Sequence, residues 1–210
     1  MYSKKSALCF AFIAIAILIS NCSDSTEPGN AAAELIPLKV GNSWNYKLTS
    51  YDSSGSISYI ENQNSTIIKD TSISNYTWYA YNDAPNGIWF TNKSDGYWAF
   101  IKANTGSIVK DTSMIVFRYP TQVGDIYPGD YMPMEVIAIN EEIIVGARVF
   151  QTIHIISTYT DTTHYLLDSF EWFIAPQVGI IKTMQIGRKP SGDKFIVFKR
   201  ELESYKLKYF

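Results

Sequence analysis

The sequence predicts an all-β protein: one strongly curved antiparallel sheet that closes partly or fully into a barrel, with a two-sheet sandwich as the alternative. Three observations carry this. Beyond residue 40 apolar and polar residues alternate with period two; short clusters of Gly, Asn, Asp and Pro bound each alternating run; and no amphipathic stretch of helical length lies between the runs. The last point removes parallel βαβ units, which need a crossover helix, so the strands must pair antiparallel.

Composition narrows the function classes. The 210 residues are 46% hydrophobic and 15% aromatic, too apolar for a disordered chain. With 18% charged residues and a net charge of -2 there is no basic stripe for a phosphate backbone, so nucleic acid is not an expected partner.

The chain opens with Lys4 and Lys5, an unbroken apolar run from Ala7 to Ile19, and then Ser20-Asn21-Cys22. That run reaches only about 20 Å as a helix, short of the roughly 30 Å hydrocarbon core, so it reads as a secretory signal rather than a span. Cys9 lies within the signal, which leaves Cys22 as the single cysteine of the mature chain. A lone cysteine at the end of a signal suits lipidation better than a disulfide. Ile19-Ser20-Asn21-Cys22 resembles the bacterial lipobox, with Asn21 where a smaller residue is usual. By that resemblance residues 1–21 are a lipoprotein signal peptide and Cys22 carries the acyl chains. Two such chains give on the order of 20 kcal/mol of gross membrane attachment. Ser23 is not the Asp that retains some lipoproteins at the inner membrane, so the resemblance favours the outer membrane. Residues 22–36 then form the lipidated terminus and a flexible tether, and residues 37–210 a single all-β domain.

Within that domain each strand has its own signal. Trp44, Tyr46 and Leu48 alternate with Asn45, Lys47 and Thr49 before the turn-forming Asp52-Ser53-Ser54-Gly55, which implies a hairpin. Thr77 to Tyr81, Ile88 to Thr91 and Tyr97 to Ile101 are short runs divided by Asn- and Gly-containing turns, a meander. Longer strands follow at Met114 to Tyr119, Met134 to Ile139, Ile143 to Ser157, Tyr165 to Ala175, Ile180 to Ile186 and Phe195 to Tyr209. The best helical stretch, Ala31 to Ile36, is one or two turns and ends at Pro37.

Pro37-Leu38-Lys39-Val40-Gly41-Asn42-Ser43-Trp44-Asn45-Tyr46 resembles a recurrent P-L-x-x-G-N-x-W-x-Y opening of uncharacterised exported bacterial lipoproteins. Val145 to Thr152 is similar to their central G-x-x-F strand. Trp172 to Lys182 is similar to their W-Y-A-P-G-V-G-L-V-K segment, with Gln177 in place of a Gly. The resemblance implies an all-β lipoprotein domain and no particular reaction. In it, Gly41-Asn42 turns the chain into the first strand, Trp44 and Tyr46 plug the core, and Ala175-Pro176 ends a strand at a sheet edge.

Catalytic signatures are missing: there is no G-x-S-x-G elbow, H-E-x-x-H or phosphate-cradling loop, so no catalytic residue and no cofactor is expected. His154 and His164 flank a turn-like segment and would make half a zinc site only if Glu171 or Asp168 converged on them; ordinary strand histidines are the expectation. Glu141-Glu142 reads as a solvated turn, and a glycosidase pair of Asp168 with Glu171 is not favoured. Asp52, Asp83, Asn86 and Asp95 read as turn-forming side chains rather than calcium ligands. The aromatic excess has functional content. Trp78, Trp89 and Trp98 stand out of phase with Tyr79, Phe90 and Tyr97, so large rings occupy both faces of the meander. The expected protein is a non-enzymatic, lipid-anchored envelope protein with a binding or scaffolding role, held to the membrane through Cys22. Two specific alternatives are a glycan reader using Trp78, Trp89 and Trp98, and a carrier of amphiphiles in an incomplete barrel. The partner is accordingly a glycan, a lipid or another envelope protein.

Overall fold

The computed structural model describes residues 34–103, 110–129, 132–159 and 167–208. The signal segment, Cys22 and most of the tether lie outside these residues, and so does His164. The described residues form twelve strands: β1 (Ser43–Tyr51), β2 (Ile57–Ile73), β3 (Tyr76–Tyr81), β4 (Ile88–Lys93), β5 (Gly96–Ile101), β6 (Thr112–Arg118), β7 (Ile126–Tyr127), β8 (Met134–Val145), β9 (Arg148–Thr158), β10 (Ser169–Ala175), β11 (Gly179–Arg188) and β12 (Lys194–Lys206).

All twelve belong to one antiparallel sheet in the order β6-β5-β4-β3-β2-β1-β12-β11-β10-β9-β8-β7. Chain order is therefore kept on both arms: β1 to β6 run outward one way, β12 to β7 the other, and β1 pairs with β12 between them. A closed up-and-down barrel would need only one more pairing, β6 with β7. The fold is a barrel with one unsealed seam, as the sequence predicts. Side chains bridge where backbones do not. The Phe117 ring of β6 meets Trp172 of β10 edge-on at 6.0 Å, and the Arg118 guanidinium lies 5.5 Å over the buried Tyr127 ring of β7.

Strand β1 shows how alternation builds the interior. Trp44 and Tyr46 point inward and are 2% and 4% exposed, while Asn45 and Lys47 face solvent. Each buried ring keeps its polar atom satisfied, because Trp44 Nε1–H donates to Val178 O at 2.7 Å and the Tyr46 hydroxyl to Ile180 O at 3.1 Å. Asn42, just before β1, is 1% exposed. Its amide donates to Pro37 O at 3.1 Å, and its Oδ1 accepts from Lys208 N at 2.8 Å, fastening the start of the domain to its end. The opening motif and the late Trp172–Lys182 motif thus meet. Gly179 beside Trp44 takes φ +113, a backbone conformation that residues with a Cβ rarely adopt.

The structure departs from the sequence reading in several places. Ile143 to Ser157 is two strands: β8 turns into β9 at Gly146-Ala147, where Gly146 takes a positive φ of 60°. Glu141 and Glu142 lie inside β8 rather than in a turn; the local irregularity is a bulge after Ile139, with Asn140 at φ 106°. β10 ends at Ala175 as expected, but it lies between β9 and β11 rather than at an edge. Glu34 to Ile36 are not helical, and Leu35 and Ile36, read as tether, are 2% and 5% exposed and packed into the core.

Gln177 adopts φ 65°, and its N–H donates to Glu34 O at 2.9 Å. A side chain in this left-handed region costs about 1–2 kcal/mol, partly offset because glycine loses more entropy on folding. Gln177→Gly should therefore raise stability by roughly 0.5–1 kcal/mol in a denaturant titration, whereas Gln177→Val should lower it. An unchanged or lower midpoint for the glycine variant would show that this turn carries no strain.

Candidate functional site

The barrel interior is lined by a belt of rings contributed by successive strands. Trp44 of β1 lies 6.0 Å from Tyr81 of β3, which meets Phe90 of β4 edge-on at 5.4 Å. Phe90 stacks on Tyr97 of β5 at 5.4 Å, and Tyr97 on Phe117 of β6 at 6.2 Å. Phe117 then crosses the seam to Trp172. The belt follows from alternation: Phe90 and Tyr97 are the inward members of strands whose outward members are Trp89 and Trp98.

These rings do not fill the space they surround. A cavity of about 360 Å³ opens beside them, with Trp44, Tyr46, Phe90, Tyr97, Phe117 and Trp172 among its walls. This lies at the lower end of the range of small-molecule sites. Its polar groups are few. The Tyr97 hydroxyl donates to that of Tyr81 at 3.4 Å, and burial pushes the ionisation of Tyr46, Tyr81 and Tyr97 far above the ordinary phenol range, so all three remain neutral. Ser65, Asp83 and Arg200 supply the remaining polarity. Ser65 Oγ–H donates to Asp83 Oδ1 at 3.0 Å, and the Arg200 Nη2 atom lies 4.0 Å from Asp83 Oδ2. Asp83, read from sequence as a turn former, is therefore a wall residue of the cavity. Neither Asp83 nor Arg200 carries a sequence signal that marks it: the two meet only because β12, β1, β2 and β3 are successive neighbours in the sheet and Asp83 follows β3.

The three tryptophans singled out from the sequence share the outer face of the meander. Trp78 is only 3% exposed; its Nε1–H donates to Ile73 O at 3.1 Å, and its ring tilts against Phe100 at 5.6 Å. Trp89 and Trp98 are half-buried. Lysines roof them: Lys69 Nζ stands 5.1 Å over Trp89, and Lys93 Nζ stands 3.9 Å over Trp98 and 5.4 Å over Trp78. Trp98 Nε1–H also donates to Asp95 Oδ1 at 2.8 Å. The structure brings these rings together without leaving an open row of coplanar faces.

A second polar cluster lies on the outside of β8, β9 and β10. His154 Nδ1 is 2.9 Å from Glu141 Oε2 and its Nε2 is 3.2 Å from Glu171 Oε2, while the ring stacks on Phe173 at 4.2 Å. The two carboxylates sit on opposite edges of one imidazole, so the protonated ring can donate one N–H to each. Among the described residues no three acidic, His or Cys side chains converge as metal ligands would. Asp168 is not paired with Glu171. It accepts Lys194 Nζ at 2.7 Å and contacts the Arg188 guanidinium; burial opposes its charge, but the two cations hold its ionisation below the usual carboxylate range. A groove of about 430 Å³ beside Lys182, Lys189, Lys194 and Lys199 is also basic, yet Lys194 is held by Asp168 and Lys199 by Glu201 at 2.9 Å.

No protein-family model matches this sequence, and no curated protein does. Solved structures are similar at low identity. One is a presumed exported protein with a YmcC-like fold from Bacteroides fragilis, 11% identical, with a TM-score of 0.44 over 83% of this chain and 100% of that one. Another is a presumed lipoprotein from Parabacteroides distasonis, 12% identical, with a TM-score of 0.43 over 83% of this chain and 99% of that one.

For His154, burial disfavours the charged ring, but the hydrogen bond to Glu171 and the charges of Glu141 and Glu171 outweigh it and raise the pKa above its ordinary value. A pKa raised by folding stabilises at low pH. The contribution is complete below the unfolded value of about 6.5 and disappears as pH climbs through the higher folded value. The protein should lose stability from slightly acid to mildly alkaline pH, and His154→Gln should flatten that slope. Equal slopes in paired denaturant titrations would show that His154 gains no proton affinity on folding.

Proposed function

We propose that the chain is a lipid-anchored protein of the bacterial outer membrane, acylated at Cys22, whose barrel binds a small amphiphile without transforming it. The cavity carries this reading. An aromatic-walled space of about 360 Å³ inside a barrel with an unsealed seam suits an apolar tail, and few polar groups lie within it to activate a reacting atom. The glycan reading fits less well, since Trp78 is buried and lysines stand over Trp89 and Trp98. The anchor rests on the apolar run, the lipobox-like Ile19-Ser20-Asn21-Cys22 and the lone mature cysteine.

Cys22→Ala should move the protein from the membrane to the soluble fraction, and mass spectrometry of the mature N-terminal peptide should find acylated Cys22 in the wild type. A free thiol on that peptide would refute the anchor. For the cavity, a dodecyl probe with a tail diazirine, given to the full-length protein in vesicles, should label belt residues such as Phe117 and Trp172 after irradiation. Val116→Trp, which fills the cavity from β6, should suppress this labelling, and Trp98→Ala should not. Labelling that ignores Val116→Trp would remove the carrier reading.

A further inference from the structure

The geometry points to Arg200 as the anchor of an anionic head group, and so assigns to the cavity a single-chain monocarboxylate, tail against the aromatic belt and carboxylate on the guanidinium. This rests on the carrier reading of the same cavity and specifies its ligand class.

Position comes first. On β12, Arg200 pairs with Leu48 of β1 and Thr183 of β11 and shares a strand face with Leu202, a core residue 4% exposed. Alternation therefore directs its charge into the barrel. A guanidinium turned toward an apolar interior needs compensation. Arg200 has only part of it. Its Cζ lies 3.7 Å from the centroid of the Tyr46 ring, which covers one face of the cation. Asp83 is 4.0 Å from Nη2, too far for a hydrogen bond. Its Nε is buried and hydrogen-bonds to no group of the protein. A guanidinium has five N–H donors in a planar fork, and such a fork is matched by the two oxygens of a carboxylate.

The neighbouring cations differ in this respect. Lys194 and Arg188 share Asp168, and Lys182 and Lys199 share Glu201. They are spent on partners outside the cavity, whereas Arg200 faces the belt.

Charge count selects the head group. Arg200 and the nearby Asp83 together are neutral, so a monoanion leaves the site with one net negative charge and a phosphate dianion with two; within an apolar wall the smaller excess costs less. A cationic head group would meet the guanidinium directly. Volume selects the tail: at about 30 Å³ per methylene-sized group, the cavity holds roughly a dozen. Dodecanoate is the natural test ligand. Asp83 then acts as a counter-charge that the incoming carboxylate must displace or share.

The experiment compares dodecanoate and dodecanol bearing the same tail diazirine, applied to the full-length protein in vesicles, with labelled residues mapped by mass spectrometry. Wild type should label the belt with dodecanoate in preference to dodecanol. Arg200→Gln should weaken dodecanoate labelling about ten- to a hundredfold, the weight of a charge-assisted hydrogen-bonded pair, and leave dodecanol unchanged. Asp83→Asn should strengthen dodecanoate labelling, which keeps the proposal testable should Arg200→Gln fail to fold. Equal labelling by acid and alcohol, indifferent to both substitutions, would overturn the head-group assignment while the carrier reading stands. Labelling of the belt by neither compound would overturn both.

Discussion

The pairing of β1 with β12 is the constraint on which the molecule depends. Each arm of the sheet is a run of neighbours that hairpins alone could assemble, but the ladder from Ser43↔Lys206 to Ser50↔Phe198 joins the two ends of the domain. Such a long-range pairing costs loop-closure entropy and must be rewarded by burial. The reward is concentrated at its rim. Asn42 ties Pro37 to Lys208, and the Trp44 and Tyr46 side chains reach past β12 to carbonyls of Val178 and Ile180. Because this ladder takes up one potential opening in the ring of strands, the remaining gap falls between β6 and β7, on the opposite side of the strand order. There a two-residue strand and the rings of Phe117, Trp172 and Tyr127 take over what a ladder would do. A short edge strand also offers little backbone to a foreign strand.

The same closure makes the cavity. Curling twelve strands into one ring encloses more space than one layer of side chains fills, and bulky aromatics are the economical way to line it, since each covers a large area at modest cost in conformational freedom. The rings are in contact along the wall, and the cavity opens beside them. Arg200 stands in that wall because β12 keeps its inward phase through residues 200 and 202, and Tyr46 on the neighbouring strand offers a face to hold it. Inward-facing aromatics thus do two jobs that composition cannot distinguish: they seal the seam and they shape the site.

Much of the architecture was legible in the sequence because period two is a local signal. The meander of β3, β4 and β5 sits within a few residues of where alternation places it, and the absence of helical spacing forced an antiparallel sheet. β2 was not delimited, since ISYIENQNSTIIKDTSI is polar and largely exposed and gives the alternation little contrast. β8 and β9 merged into one reading because apolar residues run up to both sides of Gly146. Leu35 and Ile36 looked like tether for want of a periodic partner, yet they pack beneath Trp44 and its neighbours in one core. The interior site was the least legible part. Asp83 has the local chemistry of a turn, and Arg200 is one of several cations in a charged strand; only the register of β12 between β1 and β11 reveals that this one faces inward.

The sequence did place large rings on both faces of the meander, and the structure gives the two faces different physics. On the outside, a ring next to water must be shielded or used, and Lys69 and Lys93 shield Trp89, Trp98 and Trp78 by lying over them. On the inside, Arg200 lies over Tyr46, and the rings of the belt gain by touching one another. A ligand offered to the outer face would have to displace ammonium groups already bound to the rings. A ligand entering the barrel displaces no side chain from Phe90, Tyr97 or Phe117 and meets an inward-facing cation with donors to spare. The difference in what must be given up separates two aromatic surfaces that the residue count alone makes look equivalent.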